Sequence, residues 1–415
     1  MVKILNLAAR NLLRYRRRTG LTAFLIVIGM VAVLVFVAVT GSFKSMMIGQ
    51  ITDSFLGQVQ VHRRGFVASV ESLPLNMNMP AQLAERVHKA LETAPGVVAH
   101  APRIKFGAMF SNFTETTSVR VNGIDPATEA LVSPLLAKRQ NSGTVGPTLL
   151  APGEILVPDL VARGLKVKAG DTVVLVATNR DGSVNGKTFT IRGTLDSATG
   201  PGGRDGYIHL DDARTLLRLD QPEVTEYAIR IGGSEDAEAV AERLASIFSD
   251  TKNKEGQPIL EVHPWQKLSP FSNIASMIDL LAISIKIMLV AIVLVSVMNV
   301  MIMAVYERIR EIGTILAIGT PPGRILWLFL NEGLLLGIAG TVAGVLISIG
   351  SILLIAAIGP TFTFGQQRGL VMSPDLPWMD MASVSAMVIL IAVLASLQPA
   401  WKASKMDPIT ALRHV

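Results

Sequence analysis

The sequence predicts an α-helical membrane protein with four transmembrane helices and a large extracytoplasmic α+β domain. Three observations predict it. Half of the 415 residues are hydrophobic and 17% are charged, and the mean hydropathy of +0.46 is too high for an ordinary soluble chain. The apolar residues gather into four long runs, each near the roughly 20 residues that cross a hydrocarbon core. Between the first and second runs the texture changes to short alternating strands and amphipathic helices, the pattern of a folded domain.

Residues 1–18 read as a cytoplasmic interfacial helix. Ile4, Leu5, Ala8 and Leu12 recur at helical spacing with arginines opposite, which suits a helix lying on a leaflet. The alternative is a basic flank that only sets topology. Residues 19–43 form span 1, uncharged between Arg18 and Lys44. It is longer than the apolar core of a signal peptide and lacks a convincing cleavage site, so it reads as an uncleaved span.

The extracytoplasmic domain with its stalks is expected over 44–279. Two β-α-β halves echo each other, at about 58–125 and 221–265. "QVQVHRRG", the helix from Ala81 to Thr93 and a strand from Val97 make the first. "YAIRIGG", a helix N-capped by Ser234 and "PILEVHPW" make the second. Two such halves form a split βαβ sheet with helices on one face. A β-rich lobe is inserted at about 126–220, punctuated by Ala-Gly-Asp, Arg-Asp-Gly and Asn-Gly turns, with a loop at Gly200–Gly206. Helical spacing begins before span 2 and continues after span 1, which predicts helices projecting outward as stalks.

Span 2 covers 280–306, a cytoplasmic loop 307–324, span 3 325–358, a short external loop 359–380, span 4 381–399 and a cytoplasmic tail 400–415. Arginines and lysines before span 1, between spans 2 and 3 and after span 4 place both termini and the 307–324 loop in the cytoplasm. Segment 44–279 carries 24 basic and 26 acidic residues, a net of −2. The overall charge of +6 therefore lies at the membrane edge, where anionic lipid attracts it, and does not point to nucleic acid. There is no cysteine, so thiolate metal sites and disulfides are excluded.

Enzyme signatures are absent. "NGKT" (Asn185–Thr188) lacks the spacing of a phosphate loop and reads as a hairpin turn. The six histidines show no metal-ligand pairing, and there is no G-x-S-x-G element. Glu332 lies about two turns into span 3. It either pairs with Arg324 or Arg308, or stays wet at the interface, the reading its position favours. Lys286 can snorkel outward. No acid lies near mid-membrane to serve a proton-driven transporter.

The stretch "YERIREIGTILAIGTPPGRILWLF" (Tyr306–Phe329) is built to be touched. Ile309, Ile312, Ile315 and Leu316 give an apolar face, and Glu307, Arg308, Arg310 and Glu311 a charged one. Gly319 suits the helix end. Thr320 then N-caps a new helix with Pro321 at its first position.

These residues resemble a known family. "ERIREIGTILAIGTPPGRILWLFLNEGLLLGIAG", the ending "PAWKASKMDPITALRHV" and the opening "NLAARNLLRYRRRTGLTAFLIVIG" are similar to ABC transporter permeases of the macrolide-exporter, lipoprotein-releasing and FtsX-like group. The resemblance covers the whole chain and is looser outside the membrane. It implies a porter-like outer domain, a dimer with a second permease copy or paralogue, and a pair of ABC ATPase subunits. ATP and magnesium would bind those subunits, with no cofactor on this chain. It implies that Glu307, Arg308, Arg310, Glu311 and Gly313 form the coupling helix facing the ATPase. It implies mechanotransmission in an inner membrane, with a periplasmic domain, serving efflux or lipoprotein release and involving a periplasmic carrier or adaptor protein. An amphiphilic substrate would meet Phe43, Met46, Met47, Phe271, Ile274 and Met277 at the outer ends of spans 1 and 2, although helix packing explains each equally well. The alternatives are an FtsX-like regulator that moves nothing, and a membrane-anchored sensor or enzyme.

Overall fold

The structure, a computed structural model, describes residues 2–143, 146, 148–197, 204–233, 235–364 and 367–413. The chain divides into two compact units. One is Met1–Ser45, Ser276–Phe362 and Val371–Val415; the other is Met46–Ala275 with Thr363–Leu370.

The chain opens with the amphipathic α1 (Val2–Arg14) and enters α2 (Arg16–Ile51), which runs past the uncharged segment of span 1. A π turn, Thr52–Leu56, follows and stops at Gly57, whose φ of +79° a side chain would resist.

The outer unit then runs β1 (Val59–Arg63), α3 (Ala81–Thr93), β2 (Val97–Ser111), β3 (Thr116–Ile124), α4 (Pro126–Val132), β4 (Glu154–Pro158), α5 (Asp159–Gly164), β5 (Thr172–Thr178), β6 (Val184–Leu195), β7 (Gly206–His209), α6 (Leu210–Leu216), β8 (Glu226–Ile231), α7 (Ala237–Phe248), β9 (Leu260–Pro264) and α8 (Trp265–Leu268). Strands β9-β1-β8-β2 lie side by side, the antiparallel order of a split βαβ fold. α3 buries Ala84, Val87 and Leu91, and α7 buries Val240, Leu244 and Phe248. One expectation changes here, because helices cover both faces of the sheet. The Tyr227 hydroxyl donates to the Ala84 carbonyl of α3, while its neighbour Ala228 packs with Val132 of α4.

β2 joins two parts of one nine-stranded sheet. Its first half pairs with β8, and its second half pairs with both β3 and β5. Strands β2-β3-β7-β4-β6-β5 therefore close on themselves, which removes their edges. Phe106, Phe110, Val121, Ile155, Leu175, Phe189 and Ile208 share one buried cluster of this barrel. The lobe thus starts inside β2 rather than near residue 126. "NGKT" is no turn: Asn185 and Lys187 are ladder residues of β6 opposite Ala177 and Leu175, and the reversal sits at Gly182, φ +82°. α7 is capped by Asp236, which accepts from the Glu238 N–H. Ser234 lies outside the described residues, as do residues 200–203 of the expected Gly200–Gly206 loop.

The membrane unit continues with α9 (Phe271–Glu307), α10 (Ile309–Ala317), α11 (Pro322–Ile358), the strand pair β10 (Thr361–Phe364) and β11 (Gln367–Val371), α12 (Trp378–Ser404) and α13 (Pro408–Arg413). α2, α9, α11 and α12 are each long and apolar enough to cross a membrane. Lipid gives no hydrophobic drive between spans, so small residues let the helices approach. A Cβ on Gly337 would sit 2.9 Å from Ala392 of α12, and one on Gly344 2.7 Å from Met30 of α2.

Candidate functional site

The stretch between α9 and α11 carries the site. α9 stops because Arg308 leaves helical geometry, with φ −109° and ψ 15°. That break directs the side chain inward. Arg308 is 5% exposed and Glu332 of α11 2%. Arg308 Nη1 donates to Glu332 Oε1 at 2.9 Å, and Asn11 Nδ2 of α1 donates to the same oxygen at 2.9 Å. The Tyr15 ring lies under the guanidinium, 4.3 Å from centroid to Cζ. Tyr15 also donates its hydroxyl to Glu311 at 3.3 Å. One ion pair therefore ties α1, α10 and α11 together. Glu332 is not wet, as its depth suggested, and its partner is Arg308. The Arg308 Nε–H is buried without an acceptor, which costs about 1–3 kcal/mol.

α10 buries Ile309, Ile312 and Gly313. Gly313 has no room for a side chain, since a Cβ there would lie 2.7 Å from Ala411 of α13. Asp407 starts α13 by accepting from the backbone N–H groups of Ile409 and Thr410. Gly319, φ +91°, ends the loop. The following cap shifts by one residue: Pro321 is the N-cap and Pro322 the first helical residue. Of the five predicted coupling residues, Glu307, Arg310 and Glu311 are exposed, while Arg308 and Gly313 are buried. The charged face is thus three residues, and the other two hold the helix in place. Asn11, Tyr15 and Glu332 were missing from the predicted set. The i, i+4 spacing of Asn11 in α1 and Tyr15 just after it was the available signal.

The six residues expected to face substrate do not share one environment. Met47 is buried, Phe43, Met46 and Phe271 are half-buried, and Ile274 and Met277 are exposed. Between the upper parts of α2 and α9, Lys44 Nζ pairs with Asp279 Oδ2 at 2.6 Å.

A second charged centre lies inside the outer unit. Arg103 of β2 forks onto Glu129 of α4, Nε to Oε2 at 2.9 Å and Nη2 to Oε1 at 2.6 Å. Nη2 also donates to Ser133 Oγ at 3.0 Å. Its Nη1 donates to the Phe55 carbonyl at 2.7 Å and to Glu226 at 3.2 Å. Burial opposes its charge, but Glu129 and Glu226 outweigh that and raise its pKa. Burial likewise opposes the Glu226 charge, yet Lys105, Arg103 and His62 together lower its pKa. His62 is held neutral by burial, its pKa lowered to about 4. Among the described residues no group of three His, Cys, Asp or Glu could hold a metal.

The family model of the MacB-like periplasmic core domain matches residues 19–247, and that of the FtsX-like permease C-terminal region matches 283–408. The lipoprotein-releasing system transmembrane protein LolC of Xylella fastidiosa is 25% identical, with 97% of each chain covered. The uncharacterized ABC transporter permease YknZ of Bacillus subtilis is 23% identical over 100% of this chain and 99% of its own. The pyoverdine export ATP-binding/permease protein PvdT of Pseudomonas fluorescens is 30% identical over 45% of this chain and 28% of its own. Four membrane-crossing helices, a β-containing outer domain and both family regions agree: this chain belongs to the MacB/LolC/FtsX family of ABC transporter permeases.

Proposed function

We propose that this chain is the permease subunit of an ABC transporter, with ATP hydrolysed on a separate pair of ATPase subunits. It couples that hydrolysis to extraction or export of an amphiphile, such as a lipoprotein, a lipid or a hydrophobic drug, on the outer side of the inner membrane. The observation that carries the reading is α10. It presents Arg310 and Glu311 at its surface, next to the exposed Glu307 that ends α9, while Arg308 and Gly313 fix it to α1, α11 and α13. A push on such a helix passes into its neighbours instead of dissipating in a loop. Both termini lie on the cytoplasmic side in this reading. Leu280, Leu281, Ile287, Met288 and Ile292 of α9 are exposed, which suits a second permease copy or paralogue. Similarity to LolC along nearly the whole chain favours a lipoprotein or lipid substrate. The FtsX-like match over 283–408 supports a second reading, a regulator that transmits the ATPase stroke to an outer partner and moves nothing.

The sequence has no cysteine, so Thr314→Cys gives a unique and exposed attachment point on α10. A photo-crosslinker there, irradiated in native membranes, is expected to capture an ABC ATPase. Capture of lipid alone from well-expressed membranes would remove the coupling reading. Stimulation of the captured complex by an amphiphile, rather than by an outer protein, separates the transporter from the regulator.

A further inference from the structure

Beside the Arg308–Glu332 pair, α1, α10 and the start of α11 enclose a cavity of about 630 Å³. Its wall is largely apolar, with Leu7, Ile315, Leu328 and Phe329. Its charged groups are Arg14, Arg308 and Arg324 against one acid, Glu311. Glu311 is already engaged, by Arg14 at 3.8 Å and by the Tyr15 hydroxyl. Arg324 is exposed and enters no ion pair among the described residues. Arg308 is buried and its charge is already met by Glu332, which leaves Arg14 and Arg324 to an incoming anion. The cavity thus combines an apolar wall with a surplus of cations. Its first wall, α1, is amphipathic, with Leu7 and Leu13 exposed, so it lies at the depth where headgroups meet acyl chains.

We propose that this cavity binds one anionic diacyl phospholipid of the bilayer. The phosphate lies between Arg14 and Arg324. One acyl chain follows Leu7, Ile315 and Leu328. Basic pockets between membrane helices favour such headgroups. A zwitterionic lipid offers the same phosphate, but its ammonium would find only Glu311, which is already paired. The bound lipid bridges α1 to α10, so the lipid composition of the leaflet biases the position of the coupling helix. The site depends on the membrane crossing and on these three helices, and not on ATPase docking, so the permease alone tests it.

The test uses the full chain, purified without an ATPase, in nanodiscs of phosphatidylcholine or phosphatidylglycerol. Each carries a trace of the matching lipid with a photoreactive acyl chain. The phosphatidylglycerol probe is expected to label peptides spanning 7–15 and 311–329 at least ~5-fold more than the phosphatidylcholine probe. Arg14→Gln with Arg324→Gln should lower that labelling on the order of 10-fold, and Arg14→Lys with Arg324→Lys should keep most of it. Equal labelling by both lipids, or labelling unchanged in the glutamine variant, overturns the proposal. Displacement of the probe by inorganic phosphate overturns the diacyl assignment. So does exclusion of the probe by an added ATPase subunit whose own peptide then crosslinks at Ile315, since the cavity would belong to that protein.

Discussion

The outer and membrane units each bury an arginine against glutamate, and the two arginines are treated differently. In the outer unit every nitrogen of Arg103 has an acceptor, from Glu129, Glu226 or the Phe55 carbonyl. In the membrane unit Arg308 reaches Glu332 through Nη1, lies over Tyr15, and keeps Nε without a partner. The first is a saturated clamp, which joins the end of the π turn to β2, β8 and α4. The second is a joint between three helices with a donor left over. A buried charge pair adds little net stability over apolar packing, but removing one member is costly. Removing the cation should therefore cost more at Arg103, which faces two buried glutamates, than at Arg308, which faces one.

The largest effect should come from breaking the clamp. Arg103→Met leaves Glu129 and Glu226 buried without their cation, and should destabilise the outer unit by about 3–5 kcal/mol. Amide hydrogen exchange in β2, β8 and α4 reads this directly. Protection reduced by less than about 1 kcal/mol would show that the clamp reading is wrong.

Acid tests the same centre from another side. His62 has a folded pKa of about 4 against an ordinary value of 6.5. Between these values the unfolded chain binds more protons, so stability falls as pH drops from 6.5 towards 4, by about 3 kcal/mol in total. His100 and His263 are also lowered by burial and act with the same sign. Glu226, whose pKa is lowered, adds a further loss as pH falls through its folded value. Unfolding followed against pH should therefore slope upward from 4 to 6.5, and His62→Gln should remove the largest share of that slope. An unchanged slope in the variant would assign the effect to other groups.

The joint should respond less. Glu332→Gln keeps an acceptor for Arg308 and Asn11 but removes the countercharge, for an expected loss of about 1–3 kcal/mol in detergent melting. Replacing both partners, Arg308→Met with Glu332→Met, should recover most of that loss. If the double variant is no better than the single one, the pair holds more than its own charge.

Much of this arrangement was legible in the sequence, for local reasons. The spans follow from composition. The helix Ala81–Thr93 and strands β1 and β9 follow from periodicity, and the order β9-β1-β8-β2 from two repeated β-α-β patterns. What escaped was set by distant partners. β2 reads as one strand, yet only its pairing with β3, β5 and β8 shows that it links the split βαβ part of the sheet to the barrel. Asn185-Gly186 has the composition of a turn, but the neighbouring Asp181-Gly182 makes the reversal. Arg308 was one of two partners the sequence offered Glu332, but a wet Glu332 was favoured, and only the break of α9 at Arg308 decides for the pair. Exposed Glu307, Arg310 and Glu311 were readable as a charged face; the inward turn of Arg308 was not.

The position of β1 has a consequence for biosynthesis. β1 comes directly after the first span, yet its two partners, β8 and β9, begin at Glu226 and Leu260. While the chain is being threaded across the bilayer, β1 must wait with open edges until the second half of the domain emerges. The six barrel strands find their ring partners between Val97 and His209, before β8 emerges, and can pair in the meantime. The outer unit thus matures from its middle outward. A nascent chain held before residue 226 would expose an unpaired strand, the kind of edge that invites aggregation or a holding chaperone.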